Sequence, residues 1–394
     1  MRHSQHSDCL PHTPYTTVNS FQSQRVPALD GIRGIAMILV LIHHQLIPLS
    51  LKGGFLGVDL FFVLSGFLIT GLLLKEFDAT NSISLMNFYA RRALRLAPAF
   101  LIYLIAALIV TYKQHPEEFA REIKLVGLSL VYLTNWRMAL GWDYSLDPTA
   151  IIWSLSIEEQ FYLVWPPLLF LLLSCRVKHS HIGVALGLIV GAVAIHRATL
   201  WSNGAELNRM YYGTDTRADA LFVGCLCAFV AQHRLPAKLK SVLRILGLGA
   251  VAFLVYLIST VSFTGQFLYR GGYTLIALAT GLLIWSVNDS DQIWIARLLT
   301  FYPFRWFGLI SYSLYLWHWL LLRNVSFYYV AGEWDSWAKF VAAIAIAATS
   351  FYLIENRINR LKSRFSYSAP RIQPDVKQQL PLVGPFVQPS EQNT

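Results

Sequence analysis

A chain of 394 residues in which 55% are apolar and only 14% are charged carries more hydrophobic surface than a water-soluble core absorbs, which excludes a soluble globular protein. The net charge of +10 would suit a nucleic-acid partner, but the cations flank long apolar segments, and membrane topology with anionic headgroups accounts for them. Four cysteines, Cys9, Cys175, Cys225 and Cys227, have no metal-site spacing and three lie in or beside apolar segments, so neither a metal site nor a disulfide framework is expected.

In chain order, residues 1–24 are rich in Ser, His, Gln and Thr without apolar periodicity and are expected as a disordered tail. Ten segments then follow that are long enough, allowing for tilt, to cross about 30 Å of hydrocarbon. They lie near 32–50, 55–74, 97–112, 151–174, 182–200, 218–232, 245–261, 272–287, 306–322 and 337–355. The first is too long for a cleaved signal peptide and lacks a basic flank and an A-x-A-like site. A further apolar stretch, Leu125 to Trp136, would invert everything after it if it crossed, and it is read as re-entrant or interfacial.

The expected fold is therefore all-α, a polytopic membrane helix bundle of about ten transmembrane helices over residues 25–360, in a cell membrane. Residues 361–394 are expected as a disordered tail. Lys75, Arg91, Arg92, Arg95, Arg176, Lys178, Arg234, Lys238, Lys240, Arg244, Arg297 and Arg305 all fall on one side of such a bundle. Because cytoplasmic loops retain Lys and Arg, both termini are placed in the cytoplasm.

Ionisable residues inside spans are costly unless paired or hydrated, so each is a functional candidate. In the first segment, GIRGIAMILVLIHHQLIPLSL from Gly31 to Leu51, Arg33 and His44 are eleven positions apart. At about 100° per residue they share a helix face, separated by roughly 16 Å along the axis. His43 lies about 100° off that face.

Spans of alternating direction sort the remaining polar residues into two layers. Near the cytoplasm lie Arg33 and the run FYARRALRLAP, in which Arg91 and Arg95 are one turn apart with Arg92 beside them. Guanidinium groups so placed match phosphates, and a plain stop-transfer anchor would look the same. In the outer half lie His44, Asp59, Glu158, Glu159, Asp219 and His318, with Ser65 nearer the middle. Joined by a short turn at Lys52 to Gly54, His44 and Asp59 should share a depth, and an Asp accepting from one imidazole nitrogen frees the other as a base. Helix–helix hydrogen bonds without chemistry are the alternative for each. Aromatic groups, Trp136, Trp142 and Tyr144, and Trp201, Tyr211 and Tyr212, fall in outer loops, where sugars stack and where interfacial anchors also sit.

The words LDGIRGIAMILVLIHH, GFLGVDLFFVLSGFLIT, FYARRALRLAP, WSLSIEEQFYLVWP, DTRADALFVG and SYSLYLWHW run in order from Leu29 to Trp319 and carry a family resemblance. The chain resembles the membrane acyltransferases of acyltransferase family 3, which O-acylate carbohydrates and some small molecules. The family's Arg-x10-His pattern falls on Arg33 and His44, and its arginine-rich motif on Arg91, Arg92, Arg95 and Pro98. Members often close the last span with Glu-x-Pro, where this chain has Glu355, Asn356 and Arg357. Some carry an extracytoplasmic hydrolase-like domain after a further span, so the acceptor here is expected to be handled by the membrane domain alone or with a partner.

The resemblance implies an O-acyltransferase with acyl-CoA, most often acetyl-CoA, as co-substrate, no permanently bound cofactor or metal, and a carbohydrate or glycolipid hydroxyl as acceptor. In that scheme His44 is the general base, with Asp59 or Glu158 orienting its ring, while Arg33, Arg91, Arg92 and Arg95 hold the donor's phosphates. The rival from another class is a proton-coupled transporter or flippase, against which the absence of an internal hydropathy repeat argues.

Overall fold

A computed structural model describes residues 26–143, 147–232, 235–289, 294–324 and 333–361. Residues 1–24 and the C-terminal stretch beyond Leu361, the expected tails, lie outside the described residues. Among the described residues the fold is all-helical, with no strand. In order the helices are α1 Pro27–His43, α2 Gly57–Thr80, α3 Leu85–Gln114, α4 Phe119–Leu130, α5 Thr134–Ala139 and α6 Trp153–Ser174. They continue with α7 His179–Ser202, α8 Leu207–Tyr212, α9 Thr214–Gln232, α10 Ala237–Thr260, α11 Tyr273–Asp289, α12 Trp294–Leu299, α13 Tyr302–Asn324, α14 Glu333–Ser350 and α15 Asn356–Asn359. A long helix lies over each expected apolar segment, and six helical stretches are both long and apolar enough to cross a membrane.

The molecule is turned inside out relative to a soluble protein. Leu163, Val164, Leu171, Leu188, Ile195, Ile245 and Val255 point outward, while Arg137, Arg197, Arg217 and His318 are fully buried. Hydrocarbon outside and satisfied polar groups inside is the arrangement a bilayer requires. This is a multi-pass membrane protein. Within the apolar stretches, 72% of the one over α2 is buried against 22% in α7 and α10, so α2 is central and α7 and α10 form the rim.

Two local outcomes differ from expectation, at the end of α1 and at the start of α3. Pro27 opens α1 at its first turn, where its missing N–H costs nothing, but the helix ends at His43 rather than near 50. Gln45 takes a left-handed backbone (φ 59°) and Pro48 follows, so His44 is the capping residue at the very end of the helix. The arginine run does not precede the third span but belongs to the same continuous α3, which is entered through a Ser84 cap and passes through Pro98. Leu125 to Trp136 is split between the end of α4 and the start of α5, with Tyr132 at φ 54° between them. Neither piece alone reaches across 30 Å.

The site is positioned by glycine contacts between parallel helices. A Cβ on Gly34 would lie 1.9 Å from the Phe304 carbonyl oxygen, and one on Gly308 would lie 1.9 Å from that of Asp30. The α1 and α13 backbones thus touch, as small residues permit in membrane bundles. They run in the same direction, so Arg33 starts at the Gly308 level and His44 arrives beside His318. Gly66 against Leu221 and Gly224 against Val63 join α2 to α9 in the same way.

Gly34→Ala should therefore displace α13 and destabilise the detergent-solubilised protein by ~1–3 kcal/mol, the usual cost of overpacking. Gly187→Ala, where nothing lies within 4 Å of the added Cβ, should be neutral. Thermal-shift measurement of the two variants side by side checks this.

Candidate functional site

At the end of α1 the His44 ring meets the His318 ring in a near-stacked arrangement, centroids 5.2 Å apart, with His44 Nδ1 3.0 Å from His318 Nε2. His318 lies in the interior of α13, and its Nδ1 is 3.0 Å from the Leu314 carbonyl one turn back. A carbonyl only accepts, so Nδ1 of His318 bears the hydrogen and its Nε2, in the neutral ring, is an acceptor. That nitrogen accepts from His44 Nδ1–H, which leaves a lone pair on His44 Nε2. Trp319 packs edge-on against the His44 ring at 5.1 Å and its indole N–H donates to the Asp147 carbonyl at 2.9 Å, which fixes the ring's other side.

A cavity of about 1130 Å³ opens at the opposite end of α1. Arg33, Arg92, Arg95, Ser65, Glu158 and Tyr162 line its length, with Lys75 and His179 among the residues at its mouth. Arg92 donates to Glu159 at 2.6 Å and lies flat on the Tyr162 ring at 3.4 Å, so half of its fork is engaged. Arg33 holds Asp30 only loosely, at 3.3 Å. Among the described residues Arg95 has no carboxylate at ion-pair distance, and it faces the cavity. Arg91 turns away to Glu76 at 3.1 Å and is not part of the lining. The expected common face of Arg91 and Arg95 is therefore replaced by Arg92 and Arg95, three positions apart.

The carboxylates do not orient His44. Asp59 is buried and accepts from Arg217 Nη2 at 2.8 Å, while Arg217 also lies over the Tyr273 ring at 3.9 Å. Glu158 accepts from Ser65 Oγ at 2.8 Å, on the cavity wall. Asp219 takes Arg197 at 2.9 Å and the Thr274 hydroxyl at 2.6 Å. The physical reason is charge matching: buried arginines from α7 and α9 need counter-charges more than a neutral imidazole does. Glu355 lines the cavity, buried and receiving the Ser313 hydroxyl, and the Asn356–Arg357 departure from Glu-x-Pro leaves it in place.

Several lining residues carried no sequence signal of their own. Tyr312 donates to the Leu96 carbonyl at 3.0 Å and Tyr315 to that of Ile151 at 2.9 Å, and both face the cavity. They fall at helical spacing with His318 in SYSLYLWHW, which was the available clue. Of the aromatics expected in outer loops, Trp142 is exposed and Trp136 lies beneath the Arg209 guanidinium, while the other described ones pack inward. Tyr211 is buried between Phe263, at 4.5 Å, and Trp153, at 4.9 Å, and Trp201 stacks on Tyr269 at 5.2 Å, while Tyr144 lies outside the described residues.

The bundle thus places a guanidinium-lined cavity at one end of α1 and a tautomer-fixed imidazole pair at the other. The chain belongs to the family described as acyltransferase domain, whose model matches residues 26–355. It is 33% identical to the peptidoglycan O-acetyltransferase OatA of Listeria monocytogenes over 355 residues, 86% of this chain and 57% of that protein. The O-acetyltransferase OatA of Staphylococcus aureus is 34% identical over 361 residues, 86% of this chain and 58% of the relative. The putative peptidoglycan O-acetyltransferase YrhL of Bacillus subtilis is 33% identical over 354 residues, 84% of this chain and 55% of its own. The chain thus spans a little over half the length of these relatives. No solved structure matches it.

Because Asp59 is the counter-ion of Arg217, Asp59→Asn should act on stability first, stranding a buried guanidinium at about 3–5 kcal/mol. The double variant Asp59→Leu, Arg217→Met should regain much of that loss. A double-mutant cycle on thermal unfolding in detergent, with His44→Ala as a comparison that stays near wild type, measures both.

Proposed function

We propose that this protein is a membrane O-acetyltransferase that moves an acetyl group from cytoplasmic acyl-CoA to a carbohydrate hydroxyl, of the peptidoglycan kind, on the far side of the membrane. The observation that carries the reading is the joint placement of Arg95, without a carboxylate partner among the described residues in a cavity shared with Arg33 and Arg92, and the His44–His318 pair at the other end of α1. Phosphates need guanidinium donors that are not already neutralised, and Arg95 and Arg33 best meet that need. Lys75 at the cavity mouth and the Lys and Arg residues of the adjoining loops support a cytoplasmic orientation for this end. The relatives' names support the acetyl group and the acceptor.

In this mechanism the acceptor hydroxyl gives its proton to His44 Nε2 as its oxygen attacks the thioester carbonyl carbon. The tetrahedral oxyanion collapses with cleavage of the C–S bond, and the thiolate leaves as the thiol by taking the proton from His44. An acetyl ester and free coenzyme A result. His318 holds the His44 ring and its tautomer, the part often given to a carboxylate. Asp59 has no place in this scheme, and Glu158 acts on the donor side of the cavity.

The test is purified protein in proteoliposomes, given labelled acetyl-CoA and peptidoglycan fragments. His44→Ala should lower transfer by about 10² to 10⁴ while the protein stays inserted, the range for loss of a general base. Transfer at the wild-type rate would remove His44 from the mechanism, and movement of the glycan without acetylation would favour transport. Arg95→Ala should raise KM for acetyl-CoA with kcat little changed, roughly tenfold for one lost charge-assisted contact, and Arg91→Ala should do less. Steady-state kinetics at varied donor concentration separates the two arginines.

A further inference from the structure

The cavity stops short of the histidines. Its deep end is formed by Val58 and Phe62 of α2, Ser154 of α6 and Tyr315 of α13, and neither His44 nor His318 is among its lining residues. Tyr315 precedes His318 by less than one turn, and the two rings are 5.8 Å apart. The Tyr315 hydroxyl donates to the Ile151 carbonyl at 2.9 Å and stands 2.5 Å from Ser154 Oγ. The phenol hydrogen is committed to the carbonyl, so Ser154 donates to the phenol oxygen. One side chain of α13 is thus pinned to the start of α6 across the bore. On the α1 side Met37, one turn beyond Arg33, is completely buried and is not among the residues that line the cavity.

We propose that Tyr315 is the positioning residue that partitions the arginine-lined cavity from the His44–His318 pair, and that the acyl group reaches His44 only when the Tyr315 hydroxyl leaves Ser154 and Ile151. The inference deepens the reading given under Proposed function and rests on it for what passes the partition. A path open at both ends would conduct protons and ions through the bundle, so an enzyme with its donor and acceptor on opposite faces needs a closed wall between them. A tyrosine suits that wall. Its ring fills the bore and its hydroxyl is satisfied at both hydrogen-bonding functions, so the closed state is stable without being locked. Two ordinary hydrogen bonds are all that hold it, and bound donor can exchange them.

The experiment measures access rather than catalysis. In a background with Cys9, Cys175, Cys225 and Cys227 replaced by Ala, His44→Cys is reconstituted in oriented vesicles and exposed, at the arginine face only, to a membrane-impermeant cationic methanethiosulfonate. With Tyr315 in place position 44 should be protected. Tyr315→Phe should raise the labelling rate roughly tenfold through loss of the two hydroxyl contacts, and Tyr315→Ala should raise it further. Ser154→Ala, which spares the tyrosine, should fall between wild type and Tyr315→Phe and serves if Tyr315→Ala does not fold. Equal labelling with Tyr315 present, or protection that persists in Tyr315→Phe and Ser154→Ala alike, overturns the partition. Labelling needs neither donor nor acceptor, so a failure of acetyl transfer leaves this result standing and identifies the donor assignment as the error. In the His44 enzyme, Tyr315→Phe should also raise acetyl-CoA hydrolysis without acceptor relative to transfer, at unchanged KM for acetyl-CoA, which a purely structural defect would not do.

Discussion

Backbone contact between α1 and α13 sets the geometry on which the site depends. Gly34 and Gly308 bring these two helices so close that a single added methyl group would overlap a carbonyl oxygen. Since the two run parallel, one contact near Arg33 dictates what happens some three turns later, where the end of α1 delivers His44 to His318. A rotation of α1 by one residue, about 100°, would put His43 there instead and break the imidazole pair. The glycines are thus as much a part of the site as the histidines, although none of them lies near the reacting atoms.

A second constraint follows from burying many charges among apolar helices. The inward-facing guanidiniums have taken partners from other parts of the chain: Arg217 pairs with Asp59, Arg197 with Asp219 and Thr274, Arg137 with Asp147 of the loop before α6, and Arg92 with Glu159. These pairs tie α2 to α9, α7 to α9 and α11, and α3 to α6, and they fix helix rotation where apolar packing alone would tolerate slippage. Against that background Arg95 stands apart, because among the described residues it faces the cavity without a carboxylate at ion-pair distance, which is why the proposed function gives it the donor's phosphates.

The bundle was legible in the sequence because its apolar segments are long and its cations fall on one side. The shared face of Arg33 and His44 was also legible, since eleven residues return to the same side of any helix. The imidazole partner was not. Loop length suggested a common depth for His44 and Asp59, but Gly54 meets His43 and Gly57 meets Ala36 and Val40, so α2 carries Asp59 past the level of His44, where it pairs with α9. His318 is 274 positions away, and only the α1–α13 glycine contact brings it home. The same limit explains Arg91. Spacing showed that it shares a helix stripe with Arg95, yet the α3 helix is turned so that Arg92 and Arg95 look inward and Arg91 meets Glu76.

The two-ended layout also explains why the histidine pair carries no carboxylate. An Asp beside His44 would make its imidazole more basic and favour the imidazolium, a charge that must be hydrated or paired in a low-dielectric setting. A second neutral imidazole fixes the tautomer just as firmly, through Leu314, without adding a net charge. In the proposed mechanism it would also leave the proton taken up by His44 easier to return to the departing thiolate, because no anion would hold it back. Under that proposal, fixing the ring by a neutral donor–acceptor chain while the arginines line the cavity at the other end of α1 would keep phosphate recognition and proton transfer from disturbing one another.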